Sequence, residues 1–176
     1  MKPGLRKLVL AVHLIVSVGW IGAVIAYLVL GVSAATSPDA GLVRAAWIAM
    51  ELTGWFAVVP LALAALVTGL AISLGTQWGL FRHYWVLISF TLTVFATGVL
   101  LLHMPTVSSL ADVARRGDSA AVSTLGGDLF HPTVGLLVLL VIAALNVYKP
   151  QGLTPYGWRK QQEERRRGQR RVEAGP

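Results

Sequence analysis

Four long apolar runs decide what this chain can fold into. Leu8–Leu30, Trp47–Leu74, Tyr84–Met104 and Phe130–Tyr148 meet or approach the about 20 residues that an α-helix needs to cross the hydrocarbon core of a bilayer. Lipid offers no partner to backbone N–H and C=O groups, and a helix pairs them within its own segment. The expected fold is therefore all-α, an integral-membrane four-helix bundle within residues 1–150. A basic tail, residues 151–176, is expected to be solvated or disordered. Composition agrees, with 13% charged residues where a soluble domain carries about 25%.

Lys2, Arg6 and Lys7 precede the first run and "VSAAT" follows it, which together imitate a secretory signal. The apolar core of such a signal is only about 7–15 residues long. The first run exceeds that, so it reads as a retained helix.

An even number of spans puts both termini on one side. Twelve of the fifteen basic residues lie there, among them Lys2, Arg6, Lys7, Arg82, Lys149 and the run Arg165–Arg167; only Arg44, Arg115 and Arg116 lie opposite. The positive-inside rule then places both termini in the cytoplasm, with the plasma membrane as the expected location. Aromatic residues collect at the predicted interfaces: Tyr27 and Trp47 outside, Trp78, Tyr84, Trp85 and Tyr148 inside. The net charge of +7 flanks the spans, so it speaks for the bilayer and against nucleic acid as a partner. The basic tail is suited to anionic lipid headgroups, at about 1 kcal/mol per residue near the surface. Outer segment 105–129 has loose helical spacing at Val107, Leu110 and Ala114, broken by Gly117, and predicts one or two short surface helices.

The chain contains no cysteine. That excludes disulfides, thiolate metal sites and covalently attached haem, and leaves open haem b or a histidine/carboxylate site for copper, zinc or iron. Neither a G-x-S-x-G, an H-E-x-x-H nor a Walker A motif occurs, so binding or partner roles stand ahead of catalysis.

Polar residues inside the spans carry the functional reading. His13, Ser17, Trp20, Val24 and Tyr27 recur at helical spacing and so share a face, which should turn toward the bundle. His13 sits on the cytoplasmic side. It is either a ligand or the donor of an interhelical hydrogen bond of about 0.6 kcal/mol. Glu51, flanked by Trp47 and Trp55, is the acidic residue within a span; its plainer role is an interfacial carboxylate paired with Arg44. Pro60 removes a hydrogen bond near mid-span and frees the carbonyl of Phe56. His103 ends the third span and His131 begins the fourth, where the following Pro132 biases it toward an extended conformation. By helical rise Glu51, His103 and His131 reach one outer-facing layer. Two imidazoles and a carboxylate suit zinc, copper or iron, and two histidines on facing helices suit axial haem ligation. The cofactor candidates are thus His13, His103 and His131, and the metal candidates Glu51, His103 and His131. The alternative is a membrane scaffold or partner subunit, in a homo-oligomer or with another membrane protein, whose polar residues join helices.

The blocks "VHLIVSVGWIGAV", "VRAAWIAMELTGWFAVVPLALAALVTGL", "GTQWGLFRHYWVL" and "VYKPQGLTPYGWRK" resemble a family of actinobacterial four-helix integral-membrane proteins of unassigned activity, over residues 6–160. The resemblance implies fold and placement. More loosely, His13–x6–Trp20–x–Gly22 resembles the first helix of CopD-like copper-resistance and HemJ-like protoporphyrinogen oxidase membrane proteins. That resemblance implies copper or haem chemistry with His13 as the site residue.

Overall fold

The computed structural model describes residues 2–75 and 79–173. Trp78, expected at the inner interface, and the last three residues of the tail lie outside the described residues.

The chain is all-helical: α1 (Pro3–Thr36), α2 (Ala40–Thr53), a π-helical turn (Gly54–Val58), α3 (Val59–Gly75), α4 (Tyr84–Arg116), α5 (Ser119–Ser123), α6 (Phe130–Tyr148) and α7 (Pro155–Glu173). Among the described residues four helices are long and apolar enough to cross a membrane, namely α1, the continuous Ala40–Gly75 rod, α4 and α6. This is the make-up of a multi-pass membrane protein. Large apolar side chains such as Ile15, Phe56, Val67, Phe95 and Leu102 are exposed around its circumference. An outside this apolar is what a bundle solvated by acyl chains requires.

The face of α1 expected to turn inward does so. Trp20, Val24 and Tyr27 are buried, and the stripe continues through Gly31 and Ala34. One core cluster joins Tyr27, Trp47, Met50, Met104 and Val107; a second joins Trp20, Val24, Ala62 and Leu139. Asn146 donates to the Ile142 carbonyl and reaches Ser89 at 3.4 Å, so it links α6 to α4.

Helix α1, the Ala40–Gly75 rod and α4 are longer than the apolar runs that announce them. Helix α4 continues through Pro105 to Arg116 in place of separate surface helices, because Val107, Ala111 and Ala114 are fully buried. Packing on α2 outweighs the one backbone donor that proline lacks. Arg44 of α2 then caps α4, donating to the carbonyls of Ala114, Arg115 and Gly117. These are the carbonyls that a helix end leaves unpaired. Asp39 begins α2 by accepting from Gly41 N–H, which moves its start well before Trp47.

The tail differs from the expectation of disorder: residues 155–173 form α7. Its first turn is clamped to the 79–84 loop. Thr154 N–H donates to the Arg82 carbonyl, Tyr84 N–H donates to the Gly152 carbonyl, and Arg82 pairs with Glu164 at 3.0 Å. Gly157 lies so close to Arg82 that a Cβ would sit 2.2 Å from its carbonyl oxygen. The segment combines Tyr156 and Trp158 at its start with Arg and Glu at helical spacing beyond, and such pairs support a helix once its first turn is fixed.

Candidate functional site

The end of the bundle opposite the termini holds a group of three possible ligands: His103 near the far end of the apolar part of α4, Asp128 in the loop before α6, and His131 in the first turn of α6. One nitrogen or oxygen from each lies within 4.8 Å of the others. His103 Nε2 is 2.7 Å from Asp128 Oδ2, and His131 Nδ1 is 3.4 Å from Asp128 Oδ1. The Tyr27 hydroxyl of α1 donates to Asp128 Oδ2 at 3.0 Å. The two imidazoles stack with centroids 3.7 Å apart and planes 21° from parallel. The Asp128 side chain is 8% exposed and that of His103 16%, while His131 is 44% exposed.

The loop puts Asp128 there by close backbone approach. Gly126 has φ +59°, in the left-handed region that glycine enters without steric cost. Trp47 Nε1–H donates to the Gly126 carbonyl at 3.0 Å. A Cβ on Gly127 would lie 2.0 Å from the Gly31 carbonyl oxygen, and one on Gly31 would lie 2.5 Å from the Asp128 carbonyl oxygen. Two glycines thus let the loop lie against α1 and bring the carboxylate under Tyr27. His131 is helical, not extended, since α6 begins at Phe130. The i, i+3 spacing then faces it toward Asp128.

Helical depth groups Glu51 with the two histidines. In the structure Glu51 instead pairs with Arg115, near the end of the extended α4, and Asp128 is the carboxylate beside His103 and His131. The pairing with Arg44 is also replaced, because Arg44 serves the α4 carbonyls. His13 lies apart, toward the terminal end of the bundle. Its Nδ1 is 2.8 Å from Thr68 Oγ1 and its ring packs over Gly69. Thr68 Oγ1 donates onward to the Ala64 carbonyl at 2.6 Å, so His13 Nδ1–H is the donor to the hydroxyl. This is the interhelical hydrogen bond weighed for it.

Asp128 and the role of Tyr27 escape a reading based on apolar spans, because Asp128 falls in a loop. The signals that could have found them are "GGD", a flexible pair before an acid, and Asp128-x-x-His131 at one helical turn.

Tyr27, His103, Asp128 and His131 form the polar end of a cavity of about 320 Å³ running between α1, α4 and α6. Trp20, Val58 and Leu139 close its deep side. The two stacked imidazoles leave no space for a porphyrin plane between them, so they are not arranged as the axial pair of one haem b. Their nitrogens and the carboxylate can instead converge on a single ion. Zinc bound at about 2.0–2.1 Å spaces its ligand atoms by about 3.3 Å, so the His103–Asp128 contact need open only slightly.

Fold and site together define a class: a helical bundle of membrane-span length with a histidine/carboxylate cluster at the head of an apolar cavity. No family model, curated protein or solved structure matches the chain.

Proposed function

We propose that the chain is a multi-pass plasma-membrane protein, termini cytoplasmic, that binds a transition metal at its outer face through His103, Asp128 and His131. The observation that carries the reading is the convergence of three ligand atoms within 4.8 Å, with the carboxylate held by Tyr27. A hydrogen bond from outside the ligand set fixes ligand orientation, and removing such a partner typically costs 10–100-fold in metal affinity. Two imidazoles and one carboxylate suit zinc, copper(II) or iron(II), and three protein ligands leave a position open. All three side chains line a cavity, which fits metal handling or redox work better than a closed structural site. The basic face of α7 would hold anionic lipid headgroups on the cytoplasmic side.

Protein purified in mild detergent from metal- and haem-replete cells should carry about one metal per chain. His103→Ala, His131→Ala and Asp128→Asn should lose it, and His13→Ala should keep it. No stoichiometric metal would sink the proposal, and a Soret band in the reduced-minus-oxidised spectrum without it would point to haem in place of this site.

A second reading has one observation in its favour: Asp128 already holds Tyr27 and both imidazoles. The group would then be an interhelical clasp in a scaffold or partner subunit, alone or as a homo-oligomer. In that case the same three substitutions lower stability and the wild type carries no metal.

A further inference from the structure

The cavity beneath the cluster has more space than a metal ion needs, and its mouth is on the side of the bundle. Phe95 and Val99 of α4 and Phe130 and Val134 of α6 line it and are 64%, 38%, 73% and 43% exposed. All four belong to helices of membrane-span length, so a molecule entering between them arrives from the acyl chains. The lining is almost wholly apolar, and none of it is Lys or Arg. The charge at the polar end is Asp128, already engaged by Tyr27 and two imidazoles. A phosphate headgroup would meet that carboxylate with no cation to offset it, at the cost of an unpaired buried charge.

A neutral head with hydrogen-bonding oxygens fits this chemistry. Hydrogen-bonding groups stand at both ends of the cavity. At the polar end each imidazole spends one nitrogen on Asp128 and keeps the other for a ligand. Trp20, 4% exposed, lines the deep side, and its indole N–H makes no hydrogen bond among the described residues. Aromatic walls at Trp20 and Phe95 favour a flat ring. Gly135 of α6 lines the cavity, and a Cβ there would meet nothing within 4 Å, so the space is real on the α6 side.

We infer that this cavity binds a lipid-soluble quinone or quinol, which enters from the bilayer between α4 and α6. Its ring lies between Trp20 and the His103/His131 cluster, and its isoprenoid tail leaves past Phe95 and Phe130. The inference goes beyond the metal reading and needs no metal, since protein atoms alone build the cavity.

The test uses the full chain in phosphatidylcholine nanodiscs, titrated with decylubiquinone and read by quenching of tryptophan fluorescence. Quenching should saturate at about one quinone per chain. Gly135→Leu extends a side chain from a position whose Cβ meets nothing within 4 Å and should weaken binding at least tenfold, while size-exclusion elution and helicity stay native. Val138→Trp, which narrows the cavity from another position on α6, should do the same should Gly135→Leu fail to fold. Treatment with EDTA should leave binding unchanged, so that failure of the metal proposal and failure of this one are distinguishable. Quenching that rises without saturation, equal binding by wild type and the folded filling variants, loss of binding on EDTA treatment, or a co-purifying phospholipid that decylubiquinone does not displace would each overturn the inference.

Discussion

Replacing Gly127 by alanine tests how the site is assembled while leaving every candidate ligand in place. The added Cβ would stand 2.0 Å from the Gly31 carbonyl oxygen, whereas ordinary contact begins near 3.4 Å. Loop and α1 must therefore part by about 1.4 Å. The opposing atom is helix backbone, and a Cβ would also stand 3.0 Å from Ala35 N one turn on, so the loop is the part that moves. Asp128 is the next residue. A shift of that size stretches its contacts with His103 at 2.7 Å and Tyr27 at 3.0 Å past hydrogen-bonding range. Losing two hydrogen bonds to one carboxylate costs about 3–6 kcal/mol. At about 2–4 °C per kcal/mol for a chain of this size, the melting temperature of the detergent-solubilised protein should fall by about 6–24 °C. Metal affinity should fall at least tenfold, because one of three ligands is displaced. Gly98→Ala is the control: a Cβ there meets nothing within 4 Å, and inside α4 the change should be neutral or stabilising, by up to about 1 kcal/mol. Gly127→Ala combined with Asp128→Asn should cost less than the two changes summed, since both act on the same contacts. If Gly127→Ala binds metal and melts as Gly98→Ala does, the glycine contact does not position Asp128 and the reasoning fails.

Three further outcomes follow from the geometry. Glu51→Gln should leave metal stoichiometry unchanged and lower the melting temperature only slightly, because a solvent-reachable ion pair contributes little; metal analysis and thermal melts of the same sample check both. Because the chain has no cysteine, Ser109→Cys and Gln161→Cys can be labelled singly with an impermeant maleimide in intact cells. Ser109→Cys should react and Gln161→Cys should not, and the reverse would invert the proposed topology. Gly157→Ala should force α7 away from Arg82 and speed trypsin cleavage within its Arg-rich stretch about tenfold over wild type, by timed digestion.

The membrane-length helices were legible because they rest on long apolar runs, and a bilayer leaves such runs few alternatives. Helix ends were less so. Pro105 looks like a stop, yet Val107, Ala111 and Ala114 are fully buried against neighbouring helices, and burial that comes from partners has no local signature. His103 and His131 could be brought to one layer by counting helical rise. Which carboxylate joins them could not, since it depends on a loop lying against α1 and on Arg115 reaching Glu51. Distances across a bundle are set by the narrowest contacts between backbones, and here those contacts are glycines.

The same logic links Pro60 to the site several turns away. A proline at that position leaves the Phe56 carbonyl without its N–H. The rod takes up the defect one turn earlier: Val59 N–H bonds to the Gly54 carbonyl, an i to i+5 pairing that makes residues 54–58 a π-helical turn. Turns of this kind recur at functional sites. Here the turn presents Gly54 to α4, where a Cβ would sit 2.6 Å from Met104 Cε and 3.9 Å from the Tyr27 ring. Met104, 1% exposed, can fill that space only because residue 54 has no side chain. It follows His103 in α4 and packs in one core cluster with Tyr27. Proline, π-turn, glycine and methionine thus form one wall that fixes both His103 and the tyrosine that holds Asp128. A side chain at residue 54 would push Met104 into the cavity. It would disturb the metal ligands and the quinone space together, whereas Gly135→Leu would disturb the second alone.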